Sequence, residues 1–360
     1  MRLRYFLLPA MLLAAERTFQ SWRFAVSGEI GGNATIHLEA VWPYLYTPPS
    51  GNCVLGRCRP AVRGLPLVGK GVPMRSIAVI NQKGGVGKTT TAVNLGAALA
   101  AAGQKVCVVD LDPQAHASLH LNVICDGQER LSVYHSLAGD MPLAEIRLQI
   151  NDNLWLVAAD IDLAAVEIEL AGVPDRELIL RRRIEADTAE FDYLIIDCPP
   201  SLGVLTLNAL SAVDEVLIPL QPHFLALHGL SKLLDTIQWV AGRTNPSLKL
   251  SGVVLCMYEA NTKLATEVAR DVDEFFTMAR GTEGPWSQAK SLTARIRRNI
   301  RLAEAPSFGQ SILEYAPDSH GADDYRQLAH EVHALHEATA LLPLEMPVVP
   351  QRRAAKAAVA

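Results

Sequence analysis

Two lysines, a threonine and three aspartates carry the most legible chemistry in this chain: Lys83, Lys88, Thr89, Asp110, Asp112 and Asp197. Gly84, Gly85, Val86 and Gly87 separate the lysines. Glycines let a backbone curl until successive N–H groups converge on one anion, so this run is a cradle for phosphate. Lys88 supplies a cation for the β- and γ-phosphates, and the Thr89 hydroxyl, followed by Thr90, is placed to ligate Mg²⁺. Carboxylates suit the same site twice over. They are hard oxygen ligands for that ion, and they can orient a water or accept its proton.

Such groups work together only if rigid elements bring them to one place. Ser76-Ile77-Ala78-Val79-Ile80 reads as a buried strand, and a helical pattern runs from Thr89 to Ala102 and stops at Gly103. Strand, glycine loop and helix in that order are what a phosphate-binding loop needs, and the helix N-terminus adds partial positive charge. Lys105–Val109 reads as a second buried strand that ends in Asp110-Leu111-Asp112-Pro113-Gln114. Tyr193–Ile196 reads as a third, with Asp197 at its tip, before Cys198-Pro199-Pro200. Carboxylates at the C-terminal ends of parallel strands lie on the ligand edge of an open sheet. Further strands are expected at 154–158, 214–219 and 249–257, and helices near 161–171, 203–211, 226–241, 264–278 and 321–338. This alternation predicts an α/β fold: a doubly wound, mainly parallel sheet with helices on both faces.

The loop departs from the general phosphate-loop pattern. Gln82 stands where the first glycine is usual, and a second lysine, Lys83, opens the turn. K-G-G-x-G-K-T-[ST] resembles the deviant Walker A motif of the ParA/MinD ATPases. The stretches D-L-D-P-Q at Asp110 and D-C-P-P-S-L-G at Asp197 look like ParA, as does Ile218-Pro219-Leu220-Gln221-Pro222 with Ala226-Leu227-His228-Gly229-Leu230. Arg298-Asn299-Ile300-Arg301-Leu302-Ala303-Glu304-Ala305-Pro306-Ser307 is similar to the family's R-N-V-R-L-S-E-A-P-S run. The resemblance spans about Arg75 to Ala338. It implies ATP and Mg²⁺ as cofactors, held by residues 83–90 with Thr89, Asp110 and Asp197 on the metal side. It implies that Lys83 reaches across a dimer to the partner's nucleotide, and that Asp112 orients or activates the attacking water.

Net charge of −5 over 360 residues gives no global pull toward nucleic acid, so any such affinity must be local. One segment qualifies: Lys290, Arg295, Arg297, Arg298 and Arg301 fall within residues 290–301 with no acidic residue among them. The bland reading is a solvated face with partners elsewhere in the fold. By resemblance Arg301 holds a position linked to nonspecific DNA binding. The family often has an arginine after M-[FY]-[DE]-A, where this chain has Asn261; Lys263 offers a cation nearby without a guanidinium's fork. His330, His333 and His336 drift around their helix and read as a solvated stripe rather than a metal site. His116 lies close behind Asp112 with no role assigned.

Six cysteines form no C-x-x-C pair; Cys107, Cys198 and Cys256 fall on expected core strands, and Cys53 and Cys58 stand apart. Without positioned cluster ligands, the iron–sulfur relatives of this loop are disfavoured. Residues 1–73 match nothing in the family, and their apolar run Tyr5–Ala15 is too short to span a bilayer. Met74 stands where family members usually begin, so 1–73 is expected to be an over-translated or disordered extension, 74–340 the ATPase domain, and 341–360 a disordered tail.

The resemblance therefore implies a cytoplasmic, nucleoid-associated ATPase that partitions DNA. ATP closes a homodimer, the dimer binds double-stranded DNA nonspecifically, and hydrolysis stimulated by a ParB-like protein releases it. No stable membrane association is expected, because the tail lacks an apolar stripe of sufficient length. A MinD-like or protein-cargo-positioning ATPase is the runner-up. An ATP-dependent amide-forming synthetase of the cobyrinic-acid type, which shares the domain, is the third.

Overall fold

Long apolar runs dictate the centre of the molecule. Val106–Val109 and Tyr193–Ile196 have no polar alternation, and such strands are stable only when both faces are covered. In the computed structural model, which describes residues 74–125 and 130–340, they are fully buried strands of an eight-stranded sheet. In chain order the strands are β1 (Arg75–Val79), β2 (Val106–Asp110), β3 (Arg147–Asn151), β4 (Leu154–Val157), β5 (Tyr193–Asp197), β6 (Glu215–Leu220), β7 (Lys249–Tyr258) and β8 (Lys290–Arg297). Their order across the sheet is β3-β4-β2-β5-β1-β6-β7-β8. Every pairing is parallel except β3 with β4.

Successive strand residues point to opposite faces, and the two cores divide accordingly. Ile77, Val79, Val106, Val108, Tyr193 and Ile195 share one face with α1 (Lys88–Ala101) and α7 (His320–Ala340). Ala78, Cys107, Val109, Leu194 and Ile196 share the other with α4 (Val204–Ala212), α5 (Ala226–Ala241) and α6 (Lys263–Ala279). A short helix, α2 (His116–His120), follows β2, and α3 (Ile179–Ala186) precedes β5. α1 lies so close to β2 that a Cβ on Gly96 would meet Val108 Cγ2 at 2.9 Å, so glycine sets the spacing of helix and sheet there.

The expected doubly wound sheet is present, and α5 spans the predicted 226–241 residue for residue. Two strands had been missed. β3 is a half-exposed antiparallel edge, and β8 runs through the basic segment with Leu292, Ala294 and Ile296 buried between its exposed and half-buried residues. The predicted helix at 161–171 is a 3₁₀ turn at Ile161–Ala165 followed by a short α-helix at Val166–Glu169. Cys53 and Cys58, the extension 1–73 and the tail 341–360 lie outside the described residues. Among the described residues no helix is long and apolar enough to cross a membrane.

Candidate functional site

Register assembles the site. β1, β5 and β2 are adjacent, with Val79 opposite Asp197 and Asp197 opposite Asp110. Three chain segments distant in sequence therefore end side by side on one edge of the sheet.

The glycine loop leaves β1 there. Asn81 anchors it, donating to the Pro219 carbonyl at 2.7 Å and accepting the Lys83 N–H at 3.0 Å. Gly85 and Gly87 take φ of 72° and 95°, left-handed values that favour glycine. Gly87 then caps α1 with no side chain, and the first turn holds no acidic residue, so its N–H groups stay free for an anion. Lys88 is buried, and its ammonium lies 3.5 Å from the Lys83 carbonyl. Burial lowers its pKa, while Asp197 and Asp112 pull it back toward the charged form. Lys83 is exposed, and among the described residues its ammonium reaches only the Gln221 side chain, at 3.3 Å. The two lysines of one motif thus point to different tasks, one inward and one outward.

The three aspartates differ as sharply. Asp197 is fully buried, and neither carboxylate oxygen has a hydrogen-bond partner of good geometry. Burial and the neighbouring Asp110 push its pKa well above the usual carboxylate range; Thr89 and Lys88 only partly offset this. Asp110 is pushed up to about 6, chiefly by burial, against hydrogen bonds from Ser118 and Asp112. Two adjacent buried carboxylates resist carrying two negative charges until a cation joins them. Asp112 is buried beside them, with Oδ1 accepting the Gln114 N–H at 3.0 Å.

A hard divalent cation fits this set. The orphaned Asp197 oxygens, Asp110 and the Thr89 hydroxyl are all oxygen donors of the kind Mg²⁺ takes. Among the described residues no group of three or more histidine, cysteine, aspartate or glutamate side chains could hold a metal unaided. Phosphate oxygens and water must complete such a shell, as they do for Mg²⁺ at nucleotide sites.

The basic segment looks different in three dimensions. Arg297 is held by Asp324 of α7, Nε to Oδ1 at 2.9 Å, and Lys290 pairs with Glu331 at 3.4 Å. Arg298 meets Glu259 at 3.3 Å and Arg301 meets Glu304 at 2.8 Å, both arginines remaining exposed. Arg295 is half-buried, with Nη1 buried and unpartnered, and Lys263 is exposed at the start of α6. A run free of acids in sequence is therefore met by carboxylates from other elements. Arg298 and Arg301 are its accessible cations beside the exposed but Asp324-held Arg297, and Lys263 adds a further exposed cation from α6. His333 bonds Tyr193 at 2.7 Å, His330 is exposed, and His116 is exposed on α2. Cys107, Cys198 and Cys256 are free, buried thiols, and burial pushes the first and third up to about 12.

Sequence reasoning had passed over Asn81, Gln221 and Ser118. Asn81 sits between strand and loop, where a polar residue after an apolar run was the available signal. Gln221 lies in the ParA-like run 218–222 without a role assigned to it there, and it and Ser118 act across 138 and 8 residues.

An AAA domain family model matches residues 74–250. The chain is 44% identical over 263 residues to the chromosome partitioning protein ParA of Caulobacter vibrioides, covering 72% of this chain and 94% of that one. It is 41% identical over 259 residues to the chromosome-partitioning ATPase Soj of Treponema pallidum, covering 72% and 96%.

The chain belongs to the ParA/Soj family of chromosome-partitioning ATPases.

Two solved structures agree with the fold of this ParA-family ATPase. The Pyrococcus furiosus cell division ATPase MinD matches with a TM-score of 0.58 and 27% identity, over 72% of this chain and 99% of that one. The Mycobacterium smegmatis cobyrinic acid a,c-diamide synthase, with bound ATP analogue and magnesium, matches with a TM-score of 0.62 and 36% identity, over 74% and 97%.

Proposed function

We propose that this ATPase is an ATP-driven DNA-partitioning switch, and the outward-facing Lys83 carries the reading. The buried Lys88 would serve the loop's own phosphates, which leaves a second ammonium at the lip of the cradle, met among the described residues by Gln221 alone. A cation so placed suits the phosphates of a nucleotide on a second copy facing it, and ATP would thereby close the dimer.

Within each copy the free N–H groups of Gly85–Thr89 and the Lys88 ammonium bind the β- and γ-phosphates. Magnesium, when bound, neutralises phosphate charge; Thr89 and Asp197 would hold it, with Asp110 in support. Asp112 orients the attacking water and accepts its proton, a role its place beside Lys88 and Asp197 allows. A ParB-like partner accelerates that step, and hydrolysis opens the dimer. Arg298, Arg301 and Lys263 contact DNA phosphates without reading bases, with Arg297 held in place by Asp324 and the half-buried Arg295 two residues before it on β8.

DNA retardation at two salt concentrations, with ATP and with ADP, tests this. Arg298→Glu with Arg301→Glu should weaken ATP-dependent binding on any sequence. Each lost phosphate contact should flatten log affinity against log salt by about 0.9. Equal binding by variant and wild type would move the contact elsewhere. Wild type that binds no DNA at any salt would favour a membrane or protein cargo. The diamide synthase structure motivates a second reading, ATP-dependent amide formation. ATP turnover that requires a carboxylate substrate and an ammonia donor, and ignores DNA, would favour it.

A further inference from the structure

Between Asp110 and Ser118 the chain forms a closed loop with Asp112 inside it. Ser118 donates twice to one oxygen of Asp110: its N–H reaches Oδ2 at 2.8 Å and its hydroxyl reaches the same atom at 2.7 Å. The Ala159 N–H, beyond the end of β4, donates to Ser118 Oγ at 3.0 Å, so this hydroxyl has a fixed donor and a fixed acceptor. The other Asp110 oxygen accepts the Asp112 N–H at 3.2 Å. Ser118 is 1% exposed and Asp110 0%. A carboxylate offers about four lone-pair sites. Hydrogen bonds from its own chain engage Asp110 on both oxygens, whereas those of Asp197, opposite it in register, have no partner of good geometry among the described residues. Neighbouring aspartates are thus held differently: the Asp197 oxygens are left for a ligand, whereas Asp110, in support, is tied to its own loop.

The loop needs holding. Ala115, between Asp112 and Ser118, sits at φ 53° and ψ 32°, a left-handed conformation that costs about 1–2 kcal/mol for a residue with a Cβ. Such a conformation persists only where its surroundings over-determine it. The clamp on Asp110 lies at both ends of the strained segment.

We infer that Ser118 is a positioning residue for hydrolysis: its hydroxyl, fixed by Ala159, clamps Asp110, and the clamp sets Asp112 where it orients water. Phosphate binding runs through residues 83–89, and Thr89 and Asp197 would hold the metal; Asp110 only supports that shell, so losing one bond to it should largely spare nucleotide affinity. The inference rests on the assignment of Asp112 as the water-orienting group, so Asp112→Ala is measured alongside.

Ser118→Ala, Ser118→Thr and wild type are compared for kcat and KM with ATP, for affinity toward a fluorescent ATP analogue with Mg²⁺, and for amide exchange across residues 110–118. Losing a positioned general base costs about 10²–10⁴-fold, and Ser118→Ala displaces Asp112 rather than removing it. Ser118→Ala should therefore lose about tenfold or more in kcat while KM and analogue affinity stay within about threefold, and exchange at Gln114 should quicken. Ser118→Thr, which keeps the hydroxyl, should restore most of the rate. If Ser118→Ala is insoluble, Ser118→Cys, similar in size but a weak donor, takes its place with the same expectations. Wild-type turnover in Ser118→Ala would overturn the clamp, and so would a threonine variant as slow as the alanine one, or analogue affinity that falls in step with kcat. Normal hydrolysis by Asp112→Ala would remove the premise itself. A dead Asp112→Ala beside a fully active Ser118→Ala would remove the clamp alone.

Discussion

Single residues at this site are defined by what their polar atoms lack. Lys88 is a buried ammonium with one long contact to a backbone carbonyl, and Asp197 a buried carboxylate with no good partner. Both await a ligand of opposite charge. Lys88→Ala should weaken binding of a fluorescent ATP analogue by at least about 30-fold, since truncating a buried charged contact costs about 2–5 kcal/mol. Analogue affinity close to that of wild type would contradict the phosphate-binding role. His120 is the contrasting case, a buried ring that no ligand will rescue. It is 1% exposed, Nε2 has no partner, and burial pushes its pKa down to about 4 against a smaller opposing effect of the Gln310 backbone. Its contribution to stability is complete above pH 6.5, where both folded and unfolded states hold it neutral. It is lost as pH falls from 6.5 toward 4, because the unfolded ring takes a proton that the folded one refuses. Asp110 works in the opposite sense, since its raised pKa favours the folded state at low pH. Comparing wild type with His120→Gln isolates the ring. Between pH 7.5 and 5, in denaturant titrations without nucleotide, wild type should lose up to about 2 kcal/mol more than the variant. Parallel losses would place the acid sensitivity elsewhere.

Elements were legible where their residues had one purpose. The central strands announce themselves as unbroken apolar runs, and the glycine loop is unmistakable between such a strand and a helix. β8 was concealed because its inward residues, Leu292, Ala294 and Ile296, are threaded between serine, threonine and arginines that drew attention as a charge run. β3 has only weak alternation, and only its pairing with β4 makes it a strand. Ser118, Asp324 and Glu331 were illegible for a different reason: what they do depends on partners that only folding brings near. The packing of α1 was equally hidden, although Gly96 stood in plain view. Gly96→Val should destabilise the fold by about 2 kcal/mol or more, because its methyls would enter space that Val108 already fills. Unchanged unfolding midpoints in urea would mean that α1 can lift from β2 without cost.

Across the whole molecule the sheet separates two kinds of demand. One edge carries every group of the nucleotide site, and both faces are sealed by helices whose side chains fill the two cores. The sheet has two lateral borders, the half-exposed β3 and, at the other end, β8, which α7 covers with carboxylates rather than with another strand. Glu331 accepts the N–H groups of Thr293 and Ala294 at 3.0 and 2.9 Å, and Asp324 accepts that of Arg297 at 2.9 Å. An uncovered row of N–H groups along a strand is a template on which another polypeptide can lay itself. The last helix is therefore also a guard on colloidal behaviour. Asp324→Ala with Glu331→Ala should turn a clear solution into one that scatters light progressively with concentration and time, while Glu331→Gln, still an acceptor, should stay clear. Clear solutions of the double variant would show that the border is guarded by something other than α7. At the β8 border, the N–H groups that a neighbouring strand would need are thus taken by two acids seven residues apart on a single helix.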